Sequence, residues 1–198
     1  MKKILSIFTI MLVTCGALQA QSTFTVAYSM GFASCDLSDF ISQASFRGAT
    51  MEFRKMVQPN IGVGLTFGWN VFYEELSRES YTVGSSTLTG KQFRYSNHFP
   101  MLLGGNYYLS PGEQFNPFVG LGIGTIYTRR NTDMNLYTLE QEAWNFALQP
   151  EVGFLYTLTD GAAIYVSGRY NQGFKAGNEL DAAQSYFTLN VGFSFVNN

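Results

Sequence analysis

Phe187-Thr188-Leu189-Asn190-Val191-Gly192-Phe193-Ser194-Phe195 alternates without a break. Phe187, Leu189, Val191, Phe193 and Phe195 fall on one face, and Thr188, Asn190, Gly192 and Ser194 on the other. Side chains of a strand point alternately to opposite sides, so this stretch is a ribbon with one apolar and one polar face. A helix would scatter the same residues around its axis.

The same two-residue period recurs upstream. Phe24, Val26, Tyr28, Met30 and Phe32 oppose Thr25, Ala27, Ser29 and Gly31. Ala49, Met51 and Phe53 oppose Gly48, Thr50, Glu52 and Arg54. The run from Ile61 to Phe72 alternates Ile61, Val63, Leu65, Phe67, Trp69 and Val71 with Gly62, Gly64, Thr66, Gly68, Asn70 and Phe72. Further segments span residues 98–109, 119–127, 144–156 and 164–170. Eight segments of about 9–13 residues are each long enough to cross a bilayer at a tilt.

Connectors alternate too. Val57 to Asn60, Ser110 to Gln114 and Thr159 to Gly161 are short and rich in turn residues, while residues 33–45, 73–92, 129–141 and 172–184 read as longer links. Short turns at one end and long loops at the other are how transmembrane β-barrels are built. An even strand number places both chain ends at the short-turn side.

Composition agrees. The chain of 198 residues is 46% hydrophobic, 16% aromatic and 13% charged, against about 25% charged in an ordinary soluble domain. Lys2 and Lys3 precede an apolar run from Ile4 to Val13, and Ala20 offers a small residue before Gln21. This reads as a cleavable secretory signal over residues 1–20, followed by a barrel domain over residues 21–198. Leu12-Val13-Thr14-Cys15 also loosely resembles a lipoprotein acylation motif, with Thr14 where a smaller residue is usual. Without residues 1–20 the chain keeps 10 basic and 14 acidic residues and one cysteine, Cys35. An acidic chain with no basic patch is no nucleic-acid partner, and a single cysteine forms no internal disulfide.

No apolar stretch after residue 20 is long enough for a spanning helix. A membrane chain without such helices must close into a barrel, because hydrocarbon satisfies no open sheet edge. The polar faces then turn inward, since a cation near the bilayer midplane costs about 2–4 kcal/mol. Glu52, Arg54, Asn70, His98, Gln149, Glu151, Tyr165 and Arg169 are therefore expected to form one structural polar network in the lumen. Glycines 62, 64, 68, 120, 122 and 124 line the same side and make room for Phe72, Tyr108 and Tyr165. Aromatic girdles are expected from Trp69, Phe72 and Tyr73 near a long loop, and from Tyr107, Tyr108 and Phe118 near short turns. A soluble lipocalin-like barrel or sandwich would need the opposite assignment, with apolar faces inside.

Several stretches resemble the outer-membrane protein β-barrel domain family, the small OmpA-like barrels of Gram-negative bacteria. They are Ser45-Phe46-Arg47-Gly48, Pro59-Asn60-Ile61-Gly62-Val63-Gly64, Phe99-Pro100-Met101-Leu102-Leu103, Pro117 to Gly124, and the ending Phe193-Ser194-Phe195. The resemblance implies an all-β fold, a closed antiparallel up-and-down barrel of about eight strands in the outer membrane. It further implies recognition of the terminal aromatics, Phe193 and Phe195, by the barrel-insertion machinery. Val196, Asn197 and Asn198 follow Phe195, where members of the family usually end on the aromatic.

Chemistry is sparse. His98 is the only histidine, and Ser96 lies two residues away. A Ser–His pair with an acid within reach is one route to a lipid-modifying enzyme; a lumen histidine in the polar network is the plainer reading. One histidine and Cys35 make a zinc or copper site unsupported, and no cofactor is expected. Asp36, Asp39, Glu74 and Glu75 read as a solvated acidic surface. The sequence points to a non-enzymatic barrel with a filled narrow lumen and a structural or surface-interaction role. Its partners would be outer-membrane lipid and an extracellular ligand at four long loops. Transport of small solutes or apolar molecules through the glycine-lined lumen is the alternative.

Overall fold

The computed structural model describes residues 21–83, 86–134, 137–175, 180 and 182–197, with side chains described outside 81–88. The signal expected over residues 1–20, Cys15 included, lies outside the described residues.

Eight strands run in chain order: β1 (Ser22–Ser34), β2 (Gly48–Gln58), β3 (Ile61–Val83), β4 (Ser86–Tyr108), β5 (Phe115–Met134), β6 (Tyr137–Thr159), β7 (Ala162–Gly173) and β8 (Gln184–Asn197). Each pairs antiparallel with its neighbour, and β1 pairs with β8 from Ser22↔Asn197 to Ser34↔Ser185, which closes the ring. The chain ends and the short turns after β2, β4 and β6 share one end.

The side-chain assignment is inverted relative to a soluble protein. Phe24, Phe53, Phe67, Leu103, Leu121, Phe146, Val152 and Phe193 are exposed on the outside, while Glu52, Arg54, Glu151 and Arg169 are buried. On β6 the outward aromatics Trp144 and Tyr156 lie twelve steps apart. At a rise of about 3.3 Å and a tilt of about 45°, that spans roughly 28 Å, close to the height of a barrel's apolar band.

Two expectations are corrected. The links at 73–92 and 129–141 are largely strand: β3 and β4 pair as far as Val83↔Ser86, and β5 and β6 as far as Met134↔Tyr137. Beyond the hydrocarbon, apolar alternation is no longer imposed, yet backbone pairing continues, supported by contacts such as Ser80 with Thr89 (2.8 Å) and Lys91 with Glu75 (2.5 Å). The aromatic girdle differs from expectation as well. Phe72, Tyr108 and Phe118 point inward and are buried, whereas Trp69 and Tyr107 face out.

The link between β1 and β2 holds one helical turn, α1 (Asp36–Phe40). Cys35, at φ 50°, turns the chain from β1 into it; a left-handed backbone is uncommon outside glycine. Leu37 and Ile41 are fully buried and pack on Phe72, Leu102, Ile126, Ala147 and Tyr186 inside the barrel. Thus α1 sits in the loop-end mouth with its apolar side down.

Candidate functional site

Buried polar groups converge in the lumen, and it is stratified. At the short-turn end lies an aromatic tier. Tyr108 packs on Phe118 with ring centroids 5.6 Å apart, and Phe118 stacks on Tyr165 at 5.9 Å and 19°. These rings come from β4, β5 and β7, and glycine gives them room. Gly62 carries no side chain where a Cβ would stand 3.2 Å from Tyr108.

Above this tier is an ionic belt. Glu151 on β6 lies directly across from Arg169 on β7 in the strand register, and Arg169 Nε donates to Glu151 Oε1 at 3.0 Å. Arg169 Nη2 reaches across the lumen to Glu52 on β2 and donates to the Tyr165 hydroxyl at 2.5 Å. That hydroxyl contacts both Glu151 and Glu52 Oε1, the latter at 3.1 Å. Arg54 completes the belt: Nη2 lies 3.5 Å from Glu52 Oε2 and donates to Thr66 Oγ1 (2.8 Å), Nη1 donates to Leu65 O (2.9 Å), and Nε donates to Asn106 Oδ1 (3.3 Å). The two arginines and two glutamates are each no more than 4% exposed. A buried charge is tolerated only when paired and hydrogen-bonded; here two cations meet two anions and the belt is neutral.

Glycine brings the strands together at this level. A Cβ on Gly64 would lie 1.8 Å from the Phe53 carbonyl oxygen. Any side chain there would push β3 off β2 beside Arg54.

Further toward the loop end, the expected network divides. Gln149 donates to Asn171 Oδ1 at 2.6 Å. Asn70 and His98 face each other across β3 and β4, in a tier shared with Phe72 and Tyr186, whose rings lie 5.5 and 5.0 Å from the imidazole. His98 Nε2 lies 2.9 Å from Ser96 Oγ, and Nδ1 lies 3.1 Å from Thr128 Oγ1. Asn70 Oδ1 and the Tyr186 hydroxyl are buried without a hydrogen-bond partner. A nucleophile and a base are therefore adjacent, but the third member is a threonine hydroxyl in place of an acid. Ser96, His98 and Thr128 are all 0% exposed, so no substrate reaches them in this arrangement.

At the outer mouth α1 is tied down from three sides. Ser42 N and Oγ donate to the Glu74 carboxylate at 2.8 and 2.7 Å. Ala183 N donates to Asp36 Oδ2 at 2.8 Å, and Arg94 Nη1 to Phe40 O at 2.8 Å. Glu74 and Asp36, read from the sequence as solvated acids, thus anchor the plug; Glu75 pairs with Lys91 on the outside.

Sequence reasoning placed Glu52, Arg54, Glu151, Tyr165 and Arg169 inward, and the structure brings these five together. It sets Gln149, Asn70 and His98 in other tiers. It adds Asn106, Thr66 and Ser167 to the belt and Ser96, Thr128 and Tyr186 around His98. Alternation alone marks most of these as inward; which of them touch depends on strand stagger.

Comparison with solved structures supports the architecture. The outer membrane protein OprG of Pseudomonas aeruginosa superposes with a TM-score of 0.60 at 17% identity, covering 90% of this chain and 96% of that one. Ail, the attachment invasion locus protein of Yersinia pestis, gives 0.58 at 12% identity over 91% and 100%. Neisserial surface protein A gives 0.50 at 13% over 91% and 97%. At such identities the likeness is one of fold. No curated protein sequence matches the chain. The family model of the outer membrane protein beta-barrel domain matches residues 6–195. With a closed eight-stranded ring, an apolar exterior and an ionic interior already in place, that match shows that the chain belongs to the outer membrane protein β-barrel domain family and resides in the cell outer membrane.

Proposed function

We propose that this barrel is a non-enzymatic outer-membrane protein with a plugged lumen, working as a structural element whose loop end meets the cell's surroundings. The observation that carries this reading is the stack of tiers that closes the lumen between a vestibule of about 370 Å³ at the short-turn end, lined by Thr23, Met56, Tyr108 and Leu155, and the outer mouth: aromatic, ionic, mixed polar and apolar, then α1. An eight-stranded barrel has room for little more than its own side chains, and these interlock. Phe193 and Phe195 stand exposed on β8, which fits display to lipid and to the insertion machinery even though two further strand residues follow. Planar-bilayer recording of the purified protein tests the plug. Brief, small events at most are expected, and a large steady conductance would overturn the reading in favour of solute transport. The buried Ser96–His98 contact is assigned a structural role on the same grounds.

A further inference from the structure

The outer mouth contains a like-charge pair that the proposed function does not explain. Arg94 on β4 and Arg130 on β5 both lie against the ring of Phe40 from α1, with guanidinium carbons 5.0 and 4.6 Å from its centroid. Cation–π attraction of this kind holds a guanidinium in place without neutralising it. Among the described residues, the hydrogen bonds of both guanidiniums go to neutral groups. Arg94 donates from Nε to Gln92 Oε1 (3.1 Å) and from Nη1 to Phe40 O, and Arg130 donates from Nη2 to Gln184 Oε1 (2.9 Å).

Among the described residues, no carboxylate lies within 4.0 Å of either guanidinium. The nearby acid, Asp36, receives the Ala183 amide and favours the Arg130 cation only from beyond ion-pair distance, and Glu74 receives Ser42. Arg130 is 6% exposed, and its Nε is buried with no hydrogen-bond partner. A buried cation with an unused donor costs free energy unless something satisfies it. Deeper in the same lumen the contrast is plain, because there each arginine meets a glutamate.

We propose that Arg94 and Arg130, braced on Phe40, form an oxyanion site at the extracellular mouth that takes a phosphate- or sulfate-class group. Guanidinium is suited to this role, since its planar fork of donors matches such oxygens and its charge persists at every physiological pH. The Phe40 ring packs against both guanidiniums. The anion can come from a lipid headgroup in the outer leaflet or from a free soluble group, and the chemistry is the same. The site lies at the loop end to which the proposed function assigns contact with the surroundings. Binding is read directly, so a conducting lumen would not be mistaken for an empty site.

The test is calorimetric titration of the full protein in neutral detergent at low ionic strength, with inorganic phosphate and pyrophosphate as probes. Saturable binding is expected, weakened about tenfold or more in Arg94→Gln and in Arg130→Gln. It should be unchanged in Arg129→Gln, whose side chain pairs with Glu140 on the outer surface. Heat-modifiable gel mobility shows that each variant is folded, and Arg94→Lys and Arg130→Lys, which keep the charge but not the fork, should lie between. A second arm adds vesicles carrying phosphorylated or dephosphorylated lipid A. Competition by the phosphorylated form alone assigns the anion to a headgroup; phosphate binding without that competition assigns it to a soluble group. Either supports the site. Absence of saturable binding, or equal binding by the folded Gln variants, overturns it.

Discussion

Removing Arg169 tests the inverted interior most directly. Its guanidinium is 2% exposed and touches Glu151, Glu52 and the Tyr165 hydroxyl. Arg169→Ala would leave two buried carboxylates facing each other, with Arg54 as the single cation of the belt. Breaking one side of a buried ion pair costs about 3–5 kcal/mol, mostly because the stranded charge cannot reach water. With a urea m-value near 3 kcal/mol/M, the upper end for small domains, the unfolding midpoint should fall by about 1–2 M. Trp69 and Trp144, both half-exposed on the outer wall, report unfolding in lipid vesicles through their fluorescence. The companion variant is Arg169→Met with Glu151→Gln, which removes one charge of each sign and keeps similar volumes. It should recover most of the loss, because the penalty belongs to the unpaired anion and not to missing contacts. A shift below about 1 kcal/mol for Arg169→Ala would show that water reaches the belt and that the lumen is not dry. A double variant as unstable as the single one would show that packing, and not charge pairing, holds this tier.

Two further outcomes follow from particular residues. Gly64→Ala places a Cβ on the Phe53 carbonyl, so it should abolish the heat-modifiable folded band, whereas alanine at Gly105, whose Cβ would come no nearer than 3.7 Å to protein, should leave it intact. At the outer tip of β5–β6, the hydrogen bond from Arg129 holds the Glu140 carboxyl below its ordinary value near 4.5. The stabilisation it contributes is complete above that ordinary value and is lost as pH falls through the lower folded one; NMR of the tip in micelles should show no change from pH 7 to 5 and a transition below, absent in Glu140→Gln.

Alternation along the chain was enough to read about eight strands and the inward or outward face of most of their side chains, and hydrocarbon, which satisfies no open edge, required the ring to close. Alternation is a local signal that needs no partner strand to be read. Phe193 and Arg169 declare their faces within a few residues of chain. Where lipid ends, the signal ends with it, and so residues 73–92 and 129–141 carry loop-like composition although the arms of β3 to β6 within them pair. Side-chain contacts lay further out of reach. That Arg169 meets Glu151, that His98 sits beside Tyr186 and not in the belt, and that Phe40 brings Arg94 and Arg130 together are consequences of stagger between strands. They also depend on a single helical turn folding back into the mouth. Facing is set along one strand, whereas height in the lumen is set by the whole ring, and only the closed barrel decides which inward groups share a tier.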